Sequence, residues 1–275
     1  MTDIPLHDLL ETAEAAADAA AVVLREGHKQ LRTAGNTKDL NVRSKTSVMD
    51  PVTAVDLAAQ ERIISVISKR FPKHRFLAEE EGADALGDPE SPYMWIIDPL
   101  DGTNNFIHGK ENFGTIVAIA KDDELLAGCM VLPVMGHRFT AAKGQGAFVD
   151  GQPVKLRATV GMTDAILSSN ITRRAKPDAN GILQTSVPVC ASLENYGCAA
   201  QSIGDILLGG NDGFFYRDLK LWDVAAGFLM LAEAGGKYRY EWMEPGNMRG
   251  GILCAGTTAP IFDEVCDFVF KKRLA

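Results

Sequence analysis

The sequence predicts a mixed α/β protein in two halves, an N-terminal α+β half over residues 1–153 and a C-terminal α/β half over residues 154–275. Three observations carry that expectation. Residues 114–142 run as three apolar segments separated by turns, the pattern of consecutive antiparallel strands in a meander. Beyond Pro153, strand-like and helix-like segments alternate. Between the first helices and the meander, Tyr93-Met94-Trp95-Ile96-Ile97 is apolar and rich in β-formers, a buried strand that delivers Asp98 at its end. A chain of 275 residues can bury a core large enough for this arrangement.

Taken in order, residues 5–26 are Ala-rich and place Leu6, Leu9, Leu10, Ala13, Ala17 and Val22 at helical spacing, so an amphipathic helix is expected, broken near Gly27. Residues 32–43 read as loop with a short strand, and the polar segment after them carries Lys45, a solvated loop lysine or one that closes over an anion. Thr53 suits the cap of a helix over residues 55–70, ended by Phe71-Pro72. Asp56 then sits in its first turn, where an acid meets the helix dipole favourably and could also help deprotonate a water near a cation. Phe76-Leu77-Ala78 is a short strand ending in Glu79-Glu80-Glu81. Acids in a row are usually solvated, but these follow a strand end as Asp98 does.

Pro99 is expected to stop the strand that begins at Tyr93. Asp101 follows three residues after Asp98, Gly102 is free to take a left-handed backbone, and Thr103 and Asn104 suit the opening of a helix. Two carboxylates on one corner beside free backbone N–H groups can hold a hard divalent cation and receive an anion such as phosphate. Further along, residues 143–151 hold Gly144-Gln145-Gly146, which lacks the third glycine of a dinucleotide loop and reads as a hairpin. Strands are expected over residues 165–169, 187–190, 213–216, 237–242 and 251–255, and helices over 198–208, 221–234 and 259–271. Asp223, behind Trp222 at a helix start, reads by itself as a cap.

Bulk properties exclude several classes. A net charge of −8 and a pI near 5.2 disfavour a general nucleic-acid or anionic-membrane surface. No apolar run reaches membrane length, and an N-terminus with Asp3, Asp8 and Glu11 but no basic start argues against a signal peptide. The five cysteines are scattered without a Cys-x-x-Cys pair, so a reducing cytoplasm is expected and a zinc or disulfide framework is not. The five histidines lack ligand spacing, which leaves oxygen donors for any metal.

Four ordered motifs span most of the chain: Asp50-Pro51-Val52-Thr53-Ala54-Val55-Asp56, Ala78-Glu79-Glu80, Trp95-Ile96-Ile97-Asp98-Pro99-Leu100-Asp101-Gly102-Thr103, and Trp222-Asp223-Val224-Ala225-Ala226-Gly227. Together they resemble the inositol monophosphatase family of metal-dependent, lithium-sensitive phosphatases. The resemblance implies a five-layer α/β/α/β/α sandwich of the inositol monophosphatase and fructose-1,6-bisphosphatase type, with the site between the halves. It implies that Glu79, Asp98 and the Leu100 carbonyl hold one Mg²⁺, that Asp98, Asp101 and Asp223 hold a second, and that a third, weaker ion sits beside Glu79. Thr103, aided by Asp56 or Glu79, would orient the attacking water; the amides of Gly102, Thr103 and Asn104 would receive the phosphate; Lys45 would ride a mobile loop. Cys198, Ala199, Tyr216 and Asp223 would face the leaving group.

Inositol phosphatases commonly carry Thr where this chain has Cys198 and Glu where it has Tyr216, whose hydroxyl and apolar ring face suit stacking. Inositol 1-phosphate is the leading substrate the resemblance implies; histidinol phosphate, a sugar phosphate and a 3′(2′),5′-bisphosphate nucleotide are the alternatives. A homodimer is expected from the family, with no surface singled out. Some bacterial relatives act as transcription accessory proteins, so a non-enzymatic role with a transcription-factor partner is the rival reading.

Overall fold

The computed structural model describes residues 4–34, 43–44, 51–170 and 188–271. The N-terminal half opens with helix α1 (Leu6–Ala34), a two-strand pair β1 (Arg43–Ser44) and β2 (Pro51–Val52), and helix α2 (Ala54–Arg70). Strands β3 (Arg75–Ala78) and β4 (Tyr93–Asp101) follow, then the short helix α3 (Thr103–Ile107). A meander of β5 (Gly114–Lys121), β6 (Glu124–Leu132), β7 (His137–Ala142), β8 (Ala147–Val149) and β9 (Gln152–Pro153) completes a seven-stranded sheet in the order β3-β4-β5-β6-β7-β8-β9. Within this sheet, among the described residues, only β3 and β4 pair in parallel.

The C-terminal half contributes β10 (Ile166–Ser169), β11 (Ser192–Glu194), α4 (Ala199–Leu207), β12 (Gly213–Leu219), α5 (Leu221–Glu233), β13 (Lys237–Trp242), β14 (Ile252–Thr257) and α6 (Phe262–Cys266). Its five-stranded sheet has the order β11-β10-β12-β14-β13.

Strand periodicity explains the layering. In β4, Tyr93, Trp95 and Ile97 pack with α1 and α2, while Met94 and Ile96 face the opposite way, toward α4 and α5. Both faces are buried, which is why the sequence there is apolar at nearly every position. In β12, Phe214 and Tyr216 join that same middle core, while Phe215 faces a third core beneath α6. The result is helices, sheet, helices, sheet, helix, and the middle core is built by residues of both halves. None of the described helices is long and apolar enough to cross a membrane.

Three expectations about elements are corrected. Helix α1 does not break at Gly27: a Cβ there would meet Val55 Cγ2 at 2.9 Å and Phe106 Cζ at 3.2 Å, so the glycine lets α2 and α3 approach α1 closely. Pro99 does not end β4, because its missing N–H falls in a register irregularity between Asp98 and Asp101, where no ladder bond is needed. The strand expected over 187–190 lies instead at Ser192–Glu194; Pro188 cannot donate to a ladder, and the described residues 188–190 carry no strand. The final helix is a composite of a 3₁₀ turn, α6 and a terminal π turn.

Candidate functional site

The site forms where β4 turns into α3. Asp98 is 1 % exposed, and its Oδ1 accepts the Leu100 N–H at 3.0 Å, which folds the bulge around it. Thr115, on neighbouring β5, donates to the Asp98 carbonyl at 3.1 Å. Gly102 caps α3 with φ of +88°, a conformation that side chains with a Cβ resist. Any Cβ would also meet the Asn112 carbonyl at 2.9 Å and Cys198 Cβ at 3.2 Å.

Asp56 occupies the third position of α2, and the cap is reciprocal: its Oδ2 accepts the Thr53 N–H at 2.8 Å while the Thr53 hydroxyl receives the first-turn amides. Its Oδ1 lies 3.2 Å from the Thr103 hydroxyl, which is also 3.1 Å from the Leu100 carbonyl. One hydroxyl proton serves one acceptor at a time, so Thr103 retains a choice of partner. Asp223 repeats half of the Asp56 arrangement at the third position of α5: its Oδ2 accepts the Lys220 N–H at 2.7 Å, while Lys220 has no side-chain acceptor to return the bond, and Asp223 is not the cap residue itself.

Asp98, Asp101, Asp223 and Glu79 come from β4, the start of α5 and the end of β3, and they act on one another. Burial first, and then the charges of Glu79, Asp101 and Asp223, push the Asp98 carboxyl well above the usual range, with a hydrogen-bonding contact to Glu79 adding to the effect. Asp223 is likewise pushed well up, by burial and by the charges of Asp101 and Glu79. Asp101 is raised by burial, against the Cys198 thiol and the amides of Ala200 and Ala199, which favour its ionised form.

Among the described residues, no three His, Cys, Asp or Glu side chains form a ready-made metal cage. Backbone donors engage Asp98 Oδ1, Asp101 Oδ2 and Asp223 Oδ2, and a carboxylate has lone pairs beyond those used by these bonds. Acids that raise one another's proton affinity, with oxygen as their only donor, fit a hard divalent cation, which would relieve the repulsion.

The model of the inositol monophosphatase family matches residues 6–256. The chain belongs to the inositol monophosphatase family. It is 35% identical over 236 residues to a protein of Aquifex aeolicus named fructose-1,6-bisphosphatase/inositol-1-monophosphatase, covering 85% of this chain and 86% of that one. It is 32% identical over 234 residues to Nus factor SuhB of Pasteurella multocida, covering 84% of each. The solved inositol monophosphatase of Anabaena superposes with a TM-score of 0.75 at 27% identity, over 97% of this chain and 96% of that one.

Within this family member, several residues that support the site escaped the sequence reading. Gln60 of α2 exchanges two hydrogen bonds of 3.1 Å with the Glu80 backbone and so fixes the turn that carries Glu79. Asn105 of α3 donates to the Asn112 carbonyl at 2.8 Å and the Tyr196 carbonyl at 2.7 Å, tying the wall before Cys198 to the corner. Their partners lie 20, 7 and 91 residues away in the chain, so no local signal marks them.

Tyr216 corrects an expectation. It is 2 % exposed and packs beside Phe214, with its hydroxyl hydrogen-bonded to Ser202, so its ring has no free face for stacking on a ligand. Cys198 is equally buried; Ala199 follows it at the start of α4, and Asn104 is exposed on α3. Lys45 lies outside the described residues.

Proposed function

We propose that the protein hydrolyses a small phosphate monoester, with inositol 1-phosphate as the leading substrate, in a Mg²⁺-dependent reaction. One observation carries the reading: beside the Gly102 corner, in a chain of this family, burial and the charges of neighbouring acids push the Asp98 and Asp223 carboxyls well above the usual range.

In this reading Glu79, Asp98 and the Leu100 carbonyl would hold one Mg²⁺, and Asp98, Asp101 and Asp223 a second, with a third, weaker ion beside Glu79. When bound, Mg²⁺ supplies electrophilic screening of the phosphoryl and leaving oxygens. The chain does the rest. Thr103, held between Asp56 and the Leu100 carbonyl, orients the attacking water, and Asp56 accepts its proton through that hydroxyl. The amides of Gly102, Thr103 and Asn104 receive the phosphate charge. Asn105 holds the Tyr196 wall against the leaving group.

The test is Mg²⁺-dependent phosphate release from a panel of inositol, sugar, histidinol and nucleotide phosphates, repeated with submolar Li⁺. Hydrolysis of inositol 1-phosphate above the others, abolished by chelation and inhibited by Li⁺, is the expected result. Preference for another ester would move the substrate assignment; no release from any ester would refute the hydrolase. A second reading, an interaction role in transcription, is favoured by the similarity to the protein named Nus factor SuhB. Inactivity on the whole panel together with tight binding of a transcription factor would select it.

A further inference from the structure

We propose that the Cys198 thiol is a positioning residue that fixes the carboxylate plane of Asp101, and so tunes the cation site, instead of contacting the substrate. The inference rests on the metal-dependent reading above. Cys198 Sγ lies 3.0 Å from Asp101 Oδ2, and the Ala200 N–H reaches the same oxygen at 2.6 Å. Both donors belong to the first turn of α4, whereas Asp101 ends β4 in the other half of the chain.

The sulfur is at the same time the cap of α4, accepting the Gln201 N–H at 3.4 Å. It therefore passes the orientation of α4 to the acid, accepting on one side and donating on the other. Its side chain has no other place to go: Gly102 packs against it so closely that a glycine Cβ would come within 3.2 Å, and only 2 % of Cys198 is exposed. A side chain so enclosed, with its one proton aimed at Asp101, is closed to a leaving group.

A thiol is a weak donor, and a hydroxyl can make the same bond. Loss of an outer hydrogen bond to a ligand typically weakens metal binding by about tenfold or more. The experiment is a calorimetric Mg²⁺ titration of the full chain and of Cys198→Ala and Cys198→Ser, with thermal melts as a check on folding and phosphate-release kinetics alongside.

Cys198→Ala is expected to weaken Mg²⁺ binding by about tenfold and to raise the Mg²⁺ needed for half-maximal rate, with the KM for the ester unchanged. Cys198→Ser is expected to restore binding to within about threefold of the parent. Should Cys198→Ala fold poorly, the serine variant still decides: binding within about threefold of the parent supports the role of the donor, and a loss of about tenfold or more in a folded serine variant refutes it. Unchanged Mg²⁺ binding in Cys198→Ala, or a rise in KM alone, would overturn the proposal and return Cys198 to the substrate wall. A parent protein that binds no Mg²⁺ at all would instead overturn the metal-dependent reading itself.

Discussion

At the scale of single residues, spacing placed Asp56 in a helix's first turn, Asp101 three residues after Asp98 and Thr103 at a helix start, while the roles proposed for them came from the resemblance. What fixes their orientation was invisible, since Gln60, Asn105 and Cys198 work through partners distant in sequence. His74 is a further case. Its ring lies between Phe71, at 4.6 Å, and Tyr93, at 4.7 Å, and its Nδ1 accepts the Trp95 indole N–H at 3.0 Å. Burial lowers its pKa to about 4.

Between that value and the ordinary 6.5 of an unfolded chain, the unfolded state binds a proton that the folded state refuses. Stability from this group is therefore complete above pH ~6.5 and falls as pH drops toward ~4, by roughly 3 kcal/mol over the window. Urea titrations at pH 7 and at pH ~4.5 should show a smaller acid loss in His74→Gln than in the parent. An equal loss in both would remove His74 as the cause.

At the scale of elements, the continuous apolar run of β4 gave away a strand buried on both faces, and the alternation of its side chains between two cores bears this out. Two boundaries misled for identifiable reasons. Proline was read as a terminator at Pro99, yet a bulge accommodates it, and the apolar run around Pro188 lacked the ladder donor a strand needs. Gly27 misled in a third way, as a helix breaker where it is a contact.

Helix propensity alone favours alanine at an interior position by about 1 kcal/mol. Because a Cβ at Gly27 would press on Val55 and Phe106, Gly27→Ala should instead destabilise the protein by about 1–2 kcal/mol. A rise in the urea midpoint would show that α2 and α3 can yield.

At the scale of the whole molecule, composition and periodicity reached a mixed α/β chain with a meander and an alternating half. The layered sandwich came from the resemblance, because no local pattern states which sheet faces share a core. That shared middle core brings the end of β4 and the starts of α4 and α5 together, so acids more than a hundred residues apart lie close enough to shift one another's proton affinity. Such a cluster costs stability until a cation joins it. The melting temperature of the parent and of Asp98→Asn, each with and without Mg²⁺, tests this most directly. The account predicts that Mg²⁺ raises the parent's Tm, that Asp98→Asn melts higher than the parent without metal, and that it gains little from Mg²⁺. A parent indifferent to Mg²⁺, or an Asp98→Asn variant that melts lower yet still responds to the ion, would contradict it.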